Sequence, residues 1–202
     1  MPRAGCSPGS ASWSDAPAVP AATRSADPAL LDTYHAERHP VGWHIADQSS
    51  IRTTDLRTMN RESTDATPLA DPIAMILGNR YRAGALIDDG SPSTMDHLDL
   101  TGQPGTRLPH RRLADGRSTL DLIGTAWALL AGPAGTGWKA AARPPLEVHE
   151  LDHDWTDTVG LSPTGALLVR PDQIIAWRRP TLPSDPAAEL RATMDRIFGR
   201  AR

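Results

Sequence analysis

Cysteine is almost absent: Cys6 is the only one in 202 residues. An intramolecular disulfide, a C-x-x-C redox pair and a cysteine-rich zinc site are therefore excluded. Lysine is as scarce, with Lys139 alone among 21 basic residues; no arginine cluster accompanies it, so this reads as codon bias rather than function. Neither sign of charge dominates, at 21 Lys+Arg against 24 Asp+Glu and a net −3. That leaves no global basic field for nucleic acid and no acidic tail. No apolar run approaches the ~20 residues a membrane span needs, and no continuous apolar signal core opens the chain. A cytoplasmic protein is the expectation. What is present is an ordinary globular mixture, 39% hydrophobic residues plus 16 glycines, near the roughly 45–50% usual for globular domains. The 19 prolines imply many breaks.

Residues 1–26 are rich in Ala, Ser, Pro and Gly without apolar period, which predicts a loose tail. Asp27-Pro28 is a helix start signal, and Leu30, Leu31, Tyr34, Val41 and Ile45 then recur at helical spacing. The pattern continues weakly through Leu56 and Met59, predicting a long helix kinked at Pro40. Over 63–116 the alternation of Ile73, Met75 and Leu77, and the run Tyr81 to Ile87 before Asp88-Asp89-Gly90, predict short strands and loops. Further on, Ser118–Ile123 and Ala126–Leu130 read as strands, Trp138–Ala142 as a short helix stopped by Pro144-Pro145, and Leu146–Leu151 as a strand. Ala166–Val169 and Ile174–Trp177 read as a hairpin. A last helix starts at Asp185-Pro186, buries Leu190, Met194, Ile197 and Phe198, and ends at Gly199. The order β-β-α-β-β-β-α describes a small α/β sandwich.

Three stretches imitate chemical motifs. His149-Glu150-Leu151-Asp152-His153 fits H-E-x-x-H, whose spacing binds zinc when a helix puts both imidazoles on one face. Here Pro144-Pro145 precedes it, and Leu146, Val148 and Glu150 alternate as in a strand. Residues four apart on a strand lie about 13 Å apart, too far to share one ion. Gly135-Thr136-Gly137-Trp138-Lys139-Ala140 imitates the dinucleotide fingerprint, but its helix has only about two turns of room and Trp138 would crowd the pyrophosphate. His35, His39 and His44 include an i, i+4 pair, beside Glu37 and Arg38; mixed charges after a capped start describe a solvated face. Arg107 and His110 differ in lying on a loop stiffened by prolines and a glycine, where a side chain is held at low entropic cost. The structural alternative is a crossover between packed units, with Arg107 capping carbonyls.

Four segments, in order, resemble a known family. Leu30-Leu31-Asp32-Thr33-Tyr34-His35-Ala36-Glu37-Arg38-His39-Pro40 resembles the long-helix motif of FAD-dependent aromatic hydroxylases of the para-hydroxybenzoate hydroxylase type. Pro104-Gly105-Thr106-Arg107-Leu108-Pro109-His110 resembles the loop before their C-terminal domain, and Asp115–Gly124 its opening. Leu167–Arg178 is similar to its closing hairpin. Within that family the resemblance points to the polyketide-aromatic, rifampicin and phenol hydroxylases, whose C-terminal domain is thioredoxin-like.

Beyond the loose tail expected at 1–26, the resemblance implies, over 27–62, the helix that follows an FAD domain. It implies a substrate-domain remnant and crossover loop over 63–114, and a thioredoxin-like α/β sandwich without C-x-x-C over 115–202. It implies enzymes that use FAD, NADPH or NADH and oxygen to hydroxylate an aromatic small molecule. The family's N-terminal strand–glycine-loop–helix and its Gly-Asp motif have no counterpart in this sequence. The expectation is thus the C-terminal part of a hydroxylase, from a truncated or mis-started gene or one half of a split enzyme completed by a separate FAD-binding chain. No catalytic or cofactor-binding residue carries over. Arg107 and His110 are candidates either for approach to the flavin or substrate edge or for tying two domains together. A non-catalytic thioredoxin-fold module, self-associating through an exposed 28–60 helix with Leu30, Tyr34 and Val41 on its face, is the alternative. A zinc hydrolase using His149, Glu150 and His153 is the third.

Overall fold

In the computed structural model, which describes residues 31–57, 69–92 and 95–198, a four-stranded sheet organises the C-terminal half. Its strands are β1 (Ala128–Ala131), β2 (Glu147–Glu150), β3 (Ala166–Val169) and β4 (Ile175–Arg179), in the order β2-β1-β3-β4. β1 and β2 run parallel, while β3 is antiparallel to both β1 and β4. Helix α3 (Thr136–Ala141) crosses from β1 to β2, α4 (His153–Thr158) leads from β2 towards β3, and α5 (Pro186–Ile197) follows the hairpin. This β-α-β followed by α-β-β-α is a thioredoxin-like α/β arrangement.

Every residue of β1 and β3 is buried, because both faces of the sheet are covered. Leu129, Ala131 and Leu168 face α3 and α5, where Trp138, Trp177, Leu190 and Phe198 complete one core. Leu130, Leu167 and Val169 face the other way, onto Trp155 of α4, Val159 at its C-cap, and Leu108, Leu122 and Ile123. Fully burying each Leu-sized side chain contributes roughly 1.5–3 kcal/mol.

Caps explain the helices. Asp185 accepts from the Ala188 N–H at 2.9 Å and Pro186 fills the first turn of α5. Asp152 accepts from the Trp155 N–H at 2.8 Å and so starts α4, a helix without a counterpart among the expected elements. Ser118–Ile123 is not a strand. Ser118 accepts from the Leu120 N–H while Asp121 accepts from the Ser118 N–H, and this reciprocal cap winds Thr119–Leu122 into a 3-10 helix. The sheet therefore opens at β1, with one strand fewer than expected.

The segment before the sheet also departs from expectation. Ile73, Met75 and Leu77 do not alternate on a strand; Asp71 caps α2 (Pro72–Leu77), with Pro72 at its first position. Tyr81–Ile87 forms bends rather than a strand. Helix α1 (Thr33–Arg57) is long, as expected, with Pro40 inside it. Its inward stripe is the buried Glu37, Val41 and Gln48 with the half-buried Ile45, Gln48 accepting from the Ala70 N–H at 2.8 Å. Val41 thus belongs to the core, whereas Leu31 and Tyr34 are 80% and 68% exposed, so they do not share one face. Leu30, the 1–26 tail, the Asp27-Pro28 start and the Gly199 stop lie outside the described residues. Among those residues no helix is long and apolar enough to cross a membrane.

Candidate functional site

Arg80, only 4% exposed, sits at the centre of the irregular segment between α2 and the sheet. Its Nε donates to the Pro104 carbonyl at 3.0 Å, and Nη1 to the Pro92 carbonyl at 2.9 Å and to the Gln103 side chain. Nη2 donates to the Ser91 hydroxyl at 2.9 Å and to Asp88 at 3.2 Å. Arg82 shares Asp88 from outside at 3.1 Å. Burial alone would raise the Asp89 carboxyl; the hydroxyl and amide of Ser91, with the Arg80 cation, outweigh it and hold Asp89 below the ordinary carboxylate range. Arg80 also forms a wall of two pockets. One of about 480 Å³ includes His97, Leu100 and Gln103; the other, about 270 Å³, includes Glu37, Pro40 and Met95. With its donors spent on two loops, 88–92 and 103–104, the Arg80 guanidinium fixes their positions and has no fork left for an anion.

A second constellation ties this segment and α1 to the hairpin. Glu37 Oε1 accepts from Arg170 Nη1 at 2.7 Å and from the Ala85 N–H at 2.8 Å. Arg170 turns its other edge to Asp172, at 2.7 Å. Burial works against the Arg170 cation, but the two carboxylates more than offset it and keep the group charged. Tyr81 lies beneath the Arg38 guanidinium, 5.6 Å from ring centre to cation. Burial raises its phenol above the ordinary value. Gly105 (φ +85°) passes so close that a Cβ there would stand 1.8 Å from the Tyr81 carbonyl oxygen. Sequence reading missed Glu37, Arg80 and Arg170 as partners. Gly105 was visible as part of the Pro104–His110 motif, but its reason, this close approach, was not.

Arg107 and His110 stand on a strap that runs alongside β4. Gly105 N–H donates to Ile175 O, Ile175 N–H to Thr106 O and Leu108 N–H to Gln173 O, at 2.7–2.9 Å. Leu108 turns into the core, while Arg107 and His110 are exposed. Arg107 donates from Nη2 to the Gln173 side chain at 2.8 Å, rather than capping carbonyls. Neither residue lines the two pockets beside Arg80.

The motif look-alikes come apart. His149 and Glu150 end β2, whereas His153 opens α4 beyond the Asp152 cap, so no single helix carries both imidazoles. Burial depresses the His149 pKa, and its Nε2 stands 3.7 Å from Glu147. Among the described residues no group of three His, Cys, Asp or Glu is placed to hold a metal ion. The glycine stretch at 135–140 is filled by its own protein. Trp138 is wholly buried and donates its indole N–H to the Thr164 carbonyl at 2.8 Å, and Leu182 covers Gly137. His35 and His39 stack at 4.9 Å, and His44 lies 3.9 Å from Asp96.

The family model for the C-terminal part of aromatic-ring hydroxylases matches residues 101–201, the strap and the whole sheet domain. The chain belongs to this family. The hydroxylase relatives extend the similarity back over α1. Tetracenomycin A2 monooxygenase-dioxygenase of Streptomyces glaucescens is 40% identical over 87% of the chain and 35% of its own length. A 4-methyl-5-nitrocatechol 5-monooxygenase of a Burkholderia species is 37% identical over 87% of the chain and 37% of its own. Among solved structures, aklavinone-11 hydroxylase in complex with FAD and aklavinone superposes with a TM-score of 0.76 at 30% identity, over 87% of this chain and 36% of that one. The flavin-dependent monooxygenase PieE, with FAD and substrate, gives 0.71 at 30% identity, over 89% and 42%. The chain thus spans about a third of the length of the curated relatives it matches.

Proposed function

We propose that this chain serves as the C-terminal part of an FAD-dependent aromatic-ring monooxygenase that uses NADPH or NADH and oxygen to hydroxylate an aromatic, phenol- or polyketide-like substrate. The observation that carries the reading is the family match over 101–201, joined to similarity over 87% of the chain with named hydroxylases. In such an enzyme FAD supplies the oxygen-activating chemistry. The described residues do not fit the dinucleotide half of that cofactor: the one glycine stretch in the right context is plugged by Trp138 and Leu182. FAD is accordingly held by polypeptide outside the described residues, a separate FAD-binding chain being one source.

On this reading the chain's own work is positional. Arg80 sets the loops, the Glu37–Arg170 pair fastens α1 to the sheet, and the exposed Arg107 and His110 face the remainder of the enzyme at its domain crossover. The exposed large apolar side chains support this. Among the described residues all of them, including Tyr34, Trp43, Ile73 and Ile76, fall between 31 and 100, before the sheet domain. That same feature favours the second reading, a non-catalytic thioredoxin-fold interaction module. The two are separated by complementation. The purified chain is titrated with FAD, then mixed with an FAD-binding portion of a family member, and phenol-dependent NAD(P)H oxidation and oxygen uptake are followed. The hydroxylase reading expects turnover only in the mixture. Binding without turnover would leave the interaction module.

A further inference from the structure

We propose that the groove between the α3–β2 connection and α5 binds a small organic anion with a flat apolar body, an aromatic carboxylate being the simplest case. The groove encloses about 370 Å³, within the range of roughly 300–1,000 Å³ typical of ligand pockets. Its floor is the open margin of the core: Leu190 and Phe198 are nearly buried, and Met194 packs beside them. Small residues keep it open. Ala141 and Ala142 at the end of α3 and Ala187 in the first turn of α5 send nothing across the gap, and Pro145 forms the rim.

The charge around this apolar slot has one sign. Among the described residues Arg143 and Arg191 are its only charged lining residues, and no carboxylate lines it. Six described arginines, Arg80, Arg82, Arg111, Arg117, Arg170 and Arg179, have an Asp or Glu within salt-bridge distance, while others such as Arg107 and Arg178 bond neutral acceptors instead. Arg143 and Arg191 have none among the described residues. Arg143 is nonetheless held in place, its Nη1 donating to the Ala140 and Ala142 carbonyls at 2.8 Å. Fixing one nitrogen this way orders the guanidinium in advance and leaves Nη2 available. A carboxylate between the two cations gains charge-assisted hydrogen bonds beside a water-poor wall, and Pro145, Leu190 and Met194 offer apolar surface to the body of the ligand. The inference does not rest on the hydroxylase reading, because neither Arg80 nor the Glu37 pair takes part.

The test uses the full chain and two probes of one shape, naphthalene-2-carboxylate and naphthalene-2-methanol, by calorimetry and amide-shift NMR. Two variants separate charge from space: R191Q removes an exposed cation, and A187W fills the slot without altering charge. Thermal unfolding confirms that both are folded. The expected result is saturable one-to-one binding of the carboxylate, with shifts around Leu190 and Phe198. The alcohol and the R191Q variant each lose about tenfold in affinity, the value of one charge-assisted hydrogen bond, and A187W abolishes binding. Equal affinity for acid and alcohol, carboxylate binding that survives A187W, or no saturation at millimolar probe would each overturn the proposal.

Discussion

Glu37 on α1 and Arg170 at the β3–β4 corner stand 133 positions apart in sequence and meet at 2.7 Å, both largely withdrawn from water. The pair fastens the N-terminal helix to the hairpin, and the Ala85 N–H on the same carboxylate adds the segment between them. One side chain therefore holds three parts of the chain in register. Removing one partner of such a buried pair is far costlier than its net contribution, because the other is left uncompensated. Glu37→Ala is expected to destabilise the protein by about 3–5 kcal/mol in urea unfolding. Hydrogen exchange should rise first in α1 and around Ala85. An unchanged midpoint would show that Asp172 alone satisfies Arg170.

Gly105 and Gly116 both have positive φ, yet only Gly105 faces backbone, at 1.8 Å from a virtual Cβ to the Tyr81 carbonyl. Gly116→Ala should cost about 1 kcal/mol, the conformational penalty alone. Gly105→Ala must displace the strap from Tyr81 and should cost several times as much, read as the difference between the two midpoints.

His149 has a pKa depressed by burial, with the nearby Arg117 acting in the same direction against Glu147. Its folded value lies below its unfolded value of 6.5, so below that point the unfolded chain binds more protons. Its contribution to stability is therefore complete above about pH 7 and declines as acid is added. Melting temperatures of wild type and His149→Gln, compared from about pH 7.5 down to 5, should converge or cross, with the variant showing the shallower slope.

Trp43, Ile73 and Ile76 are 72%, 56% and 74% exposed. The isolated chain is expected to self-associate through such residues. Trp43→Glu with Ile76→Glu should shift the light-scattering mass towards the monomer while leaving the sheet domain's melting transition in place. A monomeric wild type would remove this expectation.

Arg107 and His110 are exposed, and Arg107 has a single side-chain partner in Gln173. Arg107→Met and His110→Ala should therefore change stability by no more than about 0.5 kcal/mol. If they face the rest of a hydroxylase, the same substitutions lower turnover in the complementation assay. Unchanged turnover would confine them to the strap.

The parts of the fold legible in the sequence were those where pattern and cap agree. α5 has Asp185-Pro186 ahead of Leu190, Met194 and Ile197, and the hairpin has two buried runs around a tight corner. Where the two conflicted, the cap won. Asp71-Pro72 and the Ser118–Asp121 box each wound a short helix through apolar residues that alternate as a strand would. The buried face of α1 was misjudged because half of it is polar: Glu37 and Gln48 are buried through partners at 85, 170 and 70 that no local window contains. Arg80 was illegible for the same reason, its acceptors being supplied by residues 88–104.

The strap that carries Arg107 pairs by main-chain hydrogen bonds with Gln173 and with Ile175 at the start of β4, and Ile87 N–H adds one to the Ala176 carbonyl, leaving β2 as the sheet's other margin. That margin is only four residues long and is flanked by the exposed Glu147 and Glu150. Strand-by-strand growth into fibres thus meets an edge whose start is already paired on one side and a short, charged one on the other. Misassembly of this protein should accordingly begin in its helical N-terminal half, and stabilising it for storage means redesigning α1 and α2 rather than the sheet.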